Sequence, residues 1–235
     1  MLDISLAAGA AALAAAFASA TWERWLLRRR RHELAWSVSF LFYALASLSL
    51  ALGVAGGWNG FVFRAFYAAG AVATVPILAI GTIYLHYGRR TGDIVAAVTV
   101  VLVAIGVGVV IGSPFTHAVH ANAHAIPQGS KLFGAGPRVF AAVGSGVGAT
   151  AVIVGAVYSA LRGRAALANT LIALGVAANG ASGLLNSLVG ETRGFVVMLA
   201  IGITLLFAGF LLATSAFQPS TSASRPRTAR STGRT

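Results

Sequence analysis

Three histidines in one stretch are the residues of this chain that come closest to a metal site. If residues 115–125 form a helix, His117, His120 and His124 lie at offsets of three and seven and place their imidazoles on one face. Neutral imidazole binds copper or zinc, and three of them could form an open site with water as the fourth ligand. The same spacing suits the polar face of a helix at a membrane surface, and both interpretations stay open.

A polar stripe inside an apolar segment is the second candidate site. Asn179, Ser182 and Asn186 also lie at offsets of three and seven, so one helix face carries all three. Buried amides need hydrogen-bond partners, so this face is expected to point into the protein. It would either hold helices together or line a cavity for a small solute. Arg64 and Glu191 are predicted to form an ion pair at one end of that cavity.

Several classes of chemistry are excluded by what the chain lacks. It has no cysteine, which excludes disulfides, iron–sulfur clusters and a thiol nucleophile. Its one lysine, Lys131, lies outside the apolar segments, so a retinal Schiff base in the last segment is excluded. No carboxylate lies near the middle of an apolar segment, which disfavours a proton-coupled pump. The chain also has no phosphate-binding glycine loop, HExxH or GxSxG motif, so we predict that it is not an enzyme.

The composition indicates the environment in which these residues lie. Of 235 residues, 57% are apolar and 9% are charged, and the mean hydropathy is +0.83. A soluble domain has about 25% charged residues, so this chain is predicted to be an integral membrane protein. The net charge of +12 does not indicate nucleic-acid binding, because the basic residues occur in short clusters between apolar runs.

Seven apolar runs are long enough to cross a bilayer as helices. Each approaches the roughly 20 residues that span the hydrocarbon core, and backbone amides in lipid must pair within a helix. The predicted fold is therefore an all-α bundle of seven transmembrane helices, with a long loop at 113–136. The runs cover residues 4–21, 34–56, 61–85, 94–112, 137–160, 165–189 and 194–217.

The distribution of arginine predicts the orientation. Arginines cluster at 24–31, 89–90, 162–164 and 225–234, which seven crossings would place on one side of the membrane. Basic residues concentrate in cytoplasmic loops, so the N-terminus is predicted to lie outside the cell and the C-terminus in the cytoplasm. The membrane is predicted to be the cell membrane. The Ser/Thr/Arg-rich tail at 218–235 is expected to be disordered, and anionic lipid headgroups are the expected partners of the arginine clusters.

Small residues and a proline predict how the helices pack. Gly108 with Gly112 and Gly144 with Gly148 form two small-xxx-small pairs, which predict that the fourth and fifth helices use these faces for contacts inside the protein, with a homodimer through one of them as the lesser alternative. Pro76 is predicted to kink the third helix and to free a carbonyl near Val72 that a neighbouring helix could satisfy.

Taken together, these patterns predict a non-enzymatic multi-pass membrane protein. Its role would be to bind or pass a small solute through a cavity lined by the sixth helix, or to support a membrane partner. The alternative is an outward-facing protein that binds copper or zinc through the loop histidines.

Overall fold

The computed structural model describes residues 2–119, 125–163, 166–184 and 192–215. These residues are almost entirely helical and none of them lies in a β-strand, which confirms the all-α prediction. The predicted tail at 218–235 lies outside the described residues. In chain order the helices are α1 (Leu2–Arg28), α2 (Arg31–Gly56), α3 (Gly60–Phe66), a π-helical segment (Tyr67–Thr74), α4 (Val75–Gly112), α5 (Gly129–Leu132), α6 (Ala135–Leu161), α7 (Ala166–Leu184) and α8 (Thr192–Ser215).

Five of the described helical segments are long and apolar enough to cross a membrane. Many of their leucines and valines are exposed on the surface of the bundle, where lipid rather than water would cover them. The protein is therefore a helical protein with membrane-spanning segments. These five segments are Leu2–Arg28, Arg31–Gly56, Gly60–Gly112, Ala135–Leu161 and Arg193–Leu212.

The two ends of the bundle differ in composition. At one end α1 stops and α2 starts within the arginines at 28–31, and the chain turns at Gly88 beside two further arginines. We call this the arginine-rich end. The opposite end, which we call the loop end, holds Trp58 and the residues 113–119 and 125–134.

The segment Gly60–Gly112 has a shorter interruption than the sequence indicated. The sequence predicted separate runs at 61–85 and 94–112, whereas only Gly88 departs from helical geometry in α4. Its φ of +78° lies in the left-handed region that glycine adopts without steric cost. The arms on either side, 60–87 and 89–112, pack against each other, since a Cβ on Gly106 would lie 2.8 Å from the Cγ1 atom of Val72.

A polar cluster fixes the turn at Gly88. The hydroxyl of Tyr84 donates to the carboxylate of Asp93 over 2.7 Å, and the guanidinium of Arg31 donates to the same oxygen. Arg31 is the first residue of α2, so the cluster joins the turn to a helix that is distant in sequence.

The first arm changes helical type just before its proline. Tyr67–Thr74 is π-helical, and the hydroxyl of Thr74 donates to the carbonyl of Ala69 over 2.8 Å. In a π-helix the carbonyl of residue i accepts from the N–H of residue i+5, and the partner of Ala71 would be Pro76, which has no N–H. The hydroxyl of Ser145 on α6 supplies this hydrogen bond over 2.7 Å. The carbonyl that a neighbour satisfies thus belongs to Ala71, one residue before the position predicted from an α-helical register.

Gly144 and Gly148 of α6 make the internal contacts that the sequence predicted, and their partner is the first arm. A Cβ on Gly148 would lie 3.0 Å from the backbone nitrogen of Pro76, and one on Gly144 would lie 3.2 Å from its Cγ. The other predicted pair is not a contact surface among the described residues, because nothing lies within 4 Å of a Cβ on Gly108 or Gly112.

Candidate functional site

The centre of the bundle contains a cavity of about 460 Å³. Its walls come from α2, the π-helical segment, α6, α7 and α8, and it reaches residues 127–130 at the loop end. A site of this size accommodates a small organic molecule, since typical ligand pockets have volumes of about 300–1,000 Å³.

Small residues on several helices keep this space open. Gly70 and Ala71 lie on the π-helical segment, Ala142 lies on α6, and Gly180 and Gly183 lie on α7. No side chain longer than a methyl group extends from any of these positions. The glycines and alanines at these positions therefore leave the centre of the cavity unfilled.

One stripe of α2 supplies three hydroxyl groups to the cavity. Ser39, Tyr43 and Ser47 are spaced four residues apart, which places them on one helix face, and all three are buried. The sequence analysis did not identify these three residues as site candidates. The signal that would have found them is this four-residue spacing of hydroxyls within an otherwise apolar run.

The predicted polar stripe on α7 contributes two residues to the wall. Asn179 and Ser182 both line the cavity, and Asn186 lies outside the described residues. The hydroxyl of Tyr43 lies 2.9 Å from Oδ1 of Asn179 and 3.0 Å from the carbonyl oxygen of Leu199. This one group therefore joins α2, α7 and α8.

The approach of α8 to Asn179 is unusually close. A Cβ on Gly202 would overlap the amide of Asn179, so only glycine fits opposite it. A second close approach lies nearby, where a Cβ on Gly175 would be 2.8 Å from the carbonyl oxygen of Gly202. The amide is thus held on two sides, by the Tyr43 hydroxyl and by the backbone of α8.

Aromatic rings close the cavity toward the arginine-rich end. Phe40 lines the cavity and packs against Phe17 and Phe210, with ring centroids 4.9 and 5.6 Å apart respectively. Toward the loop end the lining includes Ser130 and Arg138, both exposed. Arg138 is the one charged group among the described lining residues, and it lies at this mouth.

Among the described residues, the guanidinium of Arg64 pairs with backbone carbonyls and not with a carboxylate. Its guanidinium donates to the carbonyl oxygens of Val110, Ile111 and Ser113 over 2.6 to 2.9 Å. These carbonyls lie at the C-terminal end of α4, where no helical N–H remains to pair with them and the helix dipole attracts a cation. Glu191, the predicted partner, lies outside the described residues.

The loop histidines are not arranged as the sequence suggested over the part that is described. Residues 115–119 are not helical, because Phe115 instead pairs in an antiparallel bridge with Phe133. Nδ1 of His117 lies 2.9 Å from the carbonyl oxygen of Lys131. His120 and His124 lie outside the described residues, and the described residues contain no group of three metal-ligating side chains. The copper or zinc hypothesis assumed a helix that begins at residue 115, and residues 115–119 do not form one.

The chemistry available in the cavity is hydrogen bonding within apolar walls. Its described residues carry hydroxyls, one amide and, at the mouth, one guanidinium. Comparison of the chain with known protein families, with curated proteins and with solved structures gives no match. The function is therefore inferred from the geometry of the cavity.

Proposed function

We propose that this protein is a non-enzymatic membrane protein that binds a small, largely apolar molecule in its central cavity. The observation that carries the proposal is the cavity itself, about 460 Å³ in volume, with polar groups from five helical segments placed on an apolar wall. Ligand sites in proteins have this character, with mostly apolar linings and a few placed polar groups.

The polar wall supports binding rather than catalysis. Ser39, Ser145 and Ser182 each donate a hydrogen bond to a backbone carbonyl. A nucleophilic serine needs an adjacent general base, and none of the described lining residues is a histidine or a carboxylate. The groups on this wall can therefore orient a ligand by hydrogen bonding.

We further propose that the chain crosses the membrane seven times. The break at Gly88 divides the 53-residue segment Gly60–Gly112 into two antiparallel arms, each about as long as one crossing. The 19-residue α7, although less apolar, packs along α8 and is long enough for one further crossing. With the arginine-rich end in the cytoplasm, the mouth of the cavity opens on the outer side.

Photoaffinity labelling tests the binding function directly. The probe is a decanol that carries an aliphatic diazirine, applied to membranes that contain the full chain and then mapped by peptide mass spectrometry. We expect label at the cavity side of α2 and α7, in addition to the unavoidable label on lipid-facing leucines such as Leu41 and Leu52, which are 62% and 54% exposed.

A matched pair of glycine substitutions gives the control. Nothing lies within 4 Å of a Cβ on Gly180 or Gly108, but only Gly180 lines the cavity. Gly180→Phe should fill the cavity and abolish its labelling, whereas Gly108→Phe should leave it unchanged. Label confined to lipid-facing residues in the unsubstituted protein would overturn the proposed function.

A further inference from the structure

The protons of most cavity hydroxyls are already committed to the protein. Ser39 donates to the carbonyl of Thr74 over 2.8 Å, and Ser145 donates to that of Ala71 over 2.7 Å. Ser182 donates to the carbonyl of Asn179 over 2.7 Å. Each of these hydroxyl oxygens keeps lone pairs but has no proton left to offer. Toward a ligand, this part of the wall is therefore an acceptor surface.

Ser47 differs from the other cavity serines. Its side chain is only 1% exposed, it lines the cavity, and its Oγ atom has no hydrogen-bond partner. An unpaired buried hydroxyl costs free energy, and such a group in a native protein calls for a missing partner. Ser47 is therefore a buried lining residue whose hydroxyl proton has no acceptor in the described protein.

Charge narrows the ligand class further. Ser47 and Tyr43 lie near the middle of the apolar run 34–56, and no described lining residue at that level carries a charge. A charged headgroup placed there would be desolvated without a counter-ion, which is costly. Arg138, the charged lining residue, lies at the exposed mouth. The interior is suited to an uncharged polar group.

We propose that the ligand is an uncharged apolar alcohol, whose hydroxyl accepts a hydrogen bond from Ser47 and donates one to a neighbouring hydroxyl oxygen of the wall. An alcohol satisfies both observations, because it accepts from the unpaired, buried hydroxyl of Ser47 and donates to the acceptor surface. Its hydrocarbon body then lies against apolar lining residues such as Phe40, Leu78 and Val176. This inference rests on the proposed binding function and adds the chemical class of the ligand.

The test compares two probes that differ only in the hydroxyl. One is the diazirine-bearing decanol, and the other is the same diazirine-bearing chain without the hydroxyl, a decane. Labelling at the cavity side of α2 is divided by labelling at Leu41 and Leu52 on the same helix, which corrects for partition into the bilayer. We expect a ratio about three- to tenfold higher for the decanol, the effect of one neutral hydrogen bond.

Ser47→Ala and Ser49→Ala form a matched pair of variants. Ser49 is on the same helix, does not line the cavity, and donates to the carbonyl of Leu45 over 2.8 Å. Ser47→Ala should remove the preference for the decanol and leave the decane probe unaffected, whereas Ser49→Ala should change neither.

The possible failures are distinguishable. Equal cavity labelling by the two probes in the unsubstituted protein would overturn the assignment of an alcohol while leaving the binding function in place, and this comparison needs no variant to fold. Equal loss of both probes in Ser47→Ala would likewise overturn it. Absence of cavity labelling by the decanol would instead overturn the proposed function itself.

Discussion

Arg64 shows how a single side chain can stabilise a helix end within an apolar protein. Three carbonyl oxygens at the end of α4 accept hydrogen bonds from its guanidinium, and the same group lies 4.2 Å from the centroid of the Phe115 ring. Arginine suits this position because its planar group carries several donors and stacks on aromatic rings. The residue therefore connects the first arm, the end of the second arm and the loop that follows.

Replacement of Arg64 should destabilise the protein. Arg64→Met removes charged hydrogen bonds that are worth about 2 kcal/mol in total at a half-buried site, and Arg64→Lys should lose less because it keeps the charge at the helix end. The free energy of unfolding in mixed micelles measures the effect. Arg90→Met, at an exposed position in the turn, is the control and should change stability by less than about 0.5 kcal/mol. Equal effects of Arg64→Met and Arg90→Met would show that the contacts with α4 contribute nothing.

At the scale of the element, the π-helical segment is the feature that shapes the cavity. Tyr67, Gly70, Ala71 and Thr74 of this segment all line it. π-Helical insertions are rare and are frequent at functional sites, because the wider turn leaves carbonyls without their usual partners. Here Ser39 and Ser145, from two other helices, donate to carbonyls of this segment, and both serines also line the cavity.

A double-mutant cycle tests the pairing of Ser145 with the carbonyl that Pro76 leaves free. Ser145→Ala should cost about 1 kcal/mol of unfolding free energy, the value of one hydrogen bond. The cost should be smaller in a Pro76→Ala background, because a backbone N–H then reaches the Ala71 carbonyl in either helical register. Ser19→Ala, which removes a hydroxyl bonded within its own exposed turn, should cost little in both backgrounds. A cost of Ser145→Ala that is the same with and without Pro76 would contradict the pairing.

At the scale of the whole molecule, the two ends of the bundle differ in how many arginines they carry and in whether the cavity reaches them. The arginine-rich end is closed by Phe17, Phe40 and Phe210, and the cavity reaches the loop end. In the proposed orientation, with the basic residues in the cytoplasm, the closed end would face inward and a ligand would enter from the outer side or from the outer leaflet.

Cysteine accessibility tests the proposed orientation, because the chain has no cysteine of its own. Single cysteines at three exposed positions, Leu2, Thr91 and Gly134, are treated with a membrane-impermeant maleimide on intact cells. We expect labelling of Leu2→Cys and Gly134→Cys and protection of Thr91→Cys until the membrane is permeabilised. A reporter fused to the C-terminus should share the compartment of Thr91→Cys. Labelling of Leu2→Cys and Thr91→Cys from the same side would contradict the seven crossings and their orientation.

The class of the protein and the positions of its helices could be predicted from the sequence because they depend on local properties. Run length and apolar composition specify where a helix can cross a bilayer, and both are read within about 20 residues. Asn179 and Ser182 could also be singled out, because a polar side chain in an apolar run must be satisfied inside the bundle.

Other features depended on how the helices are rotated and placed against one another. In lipid both faces of a helix are apolar, so periodicity does not reveal which face of α2 meets α7. Tyr43 and Asn179 are 136 residues apart, and the two donors that meet carbonyls of the first arm, Ser39 and Ser145, come from different helices. Local patterns in the sequence were enough to predict a helical membrane protein with polar groups inside its apolar runs. Which of those groups share one cavity depends on the packing of distant segments, because only that packing brings them within hydrogen-bond distance.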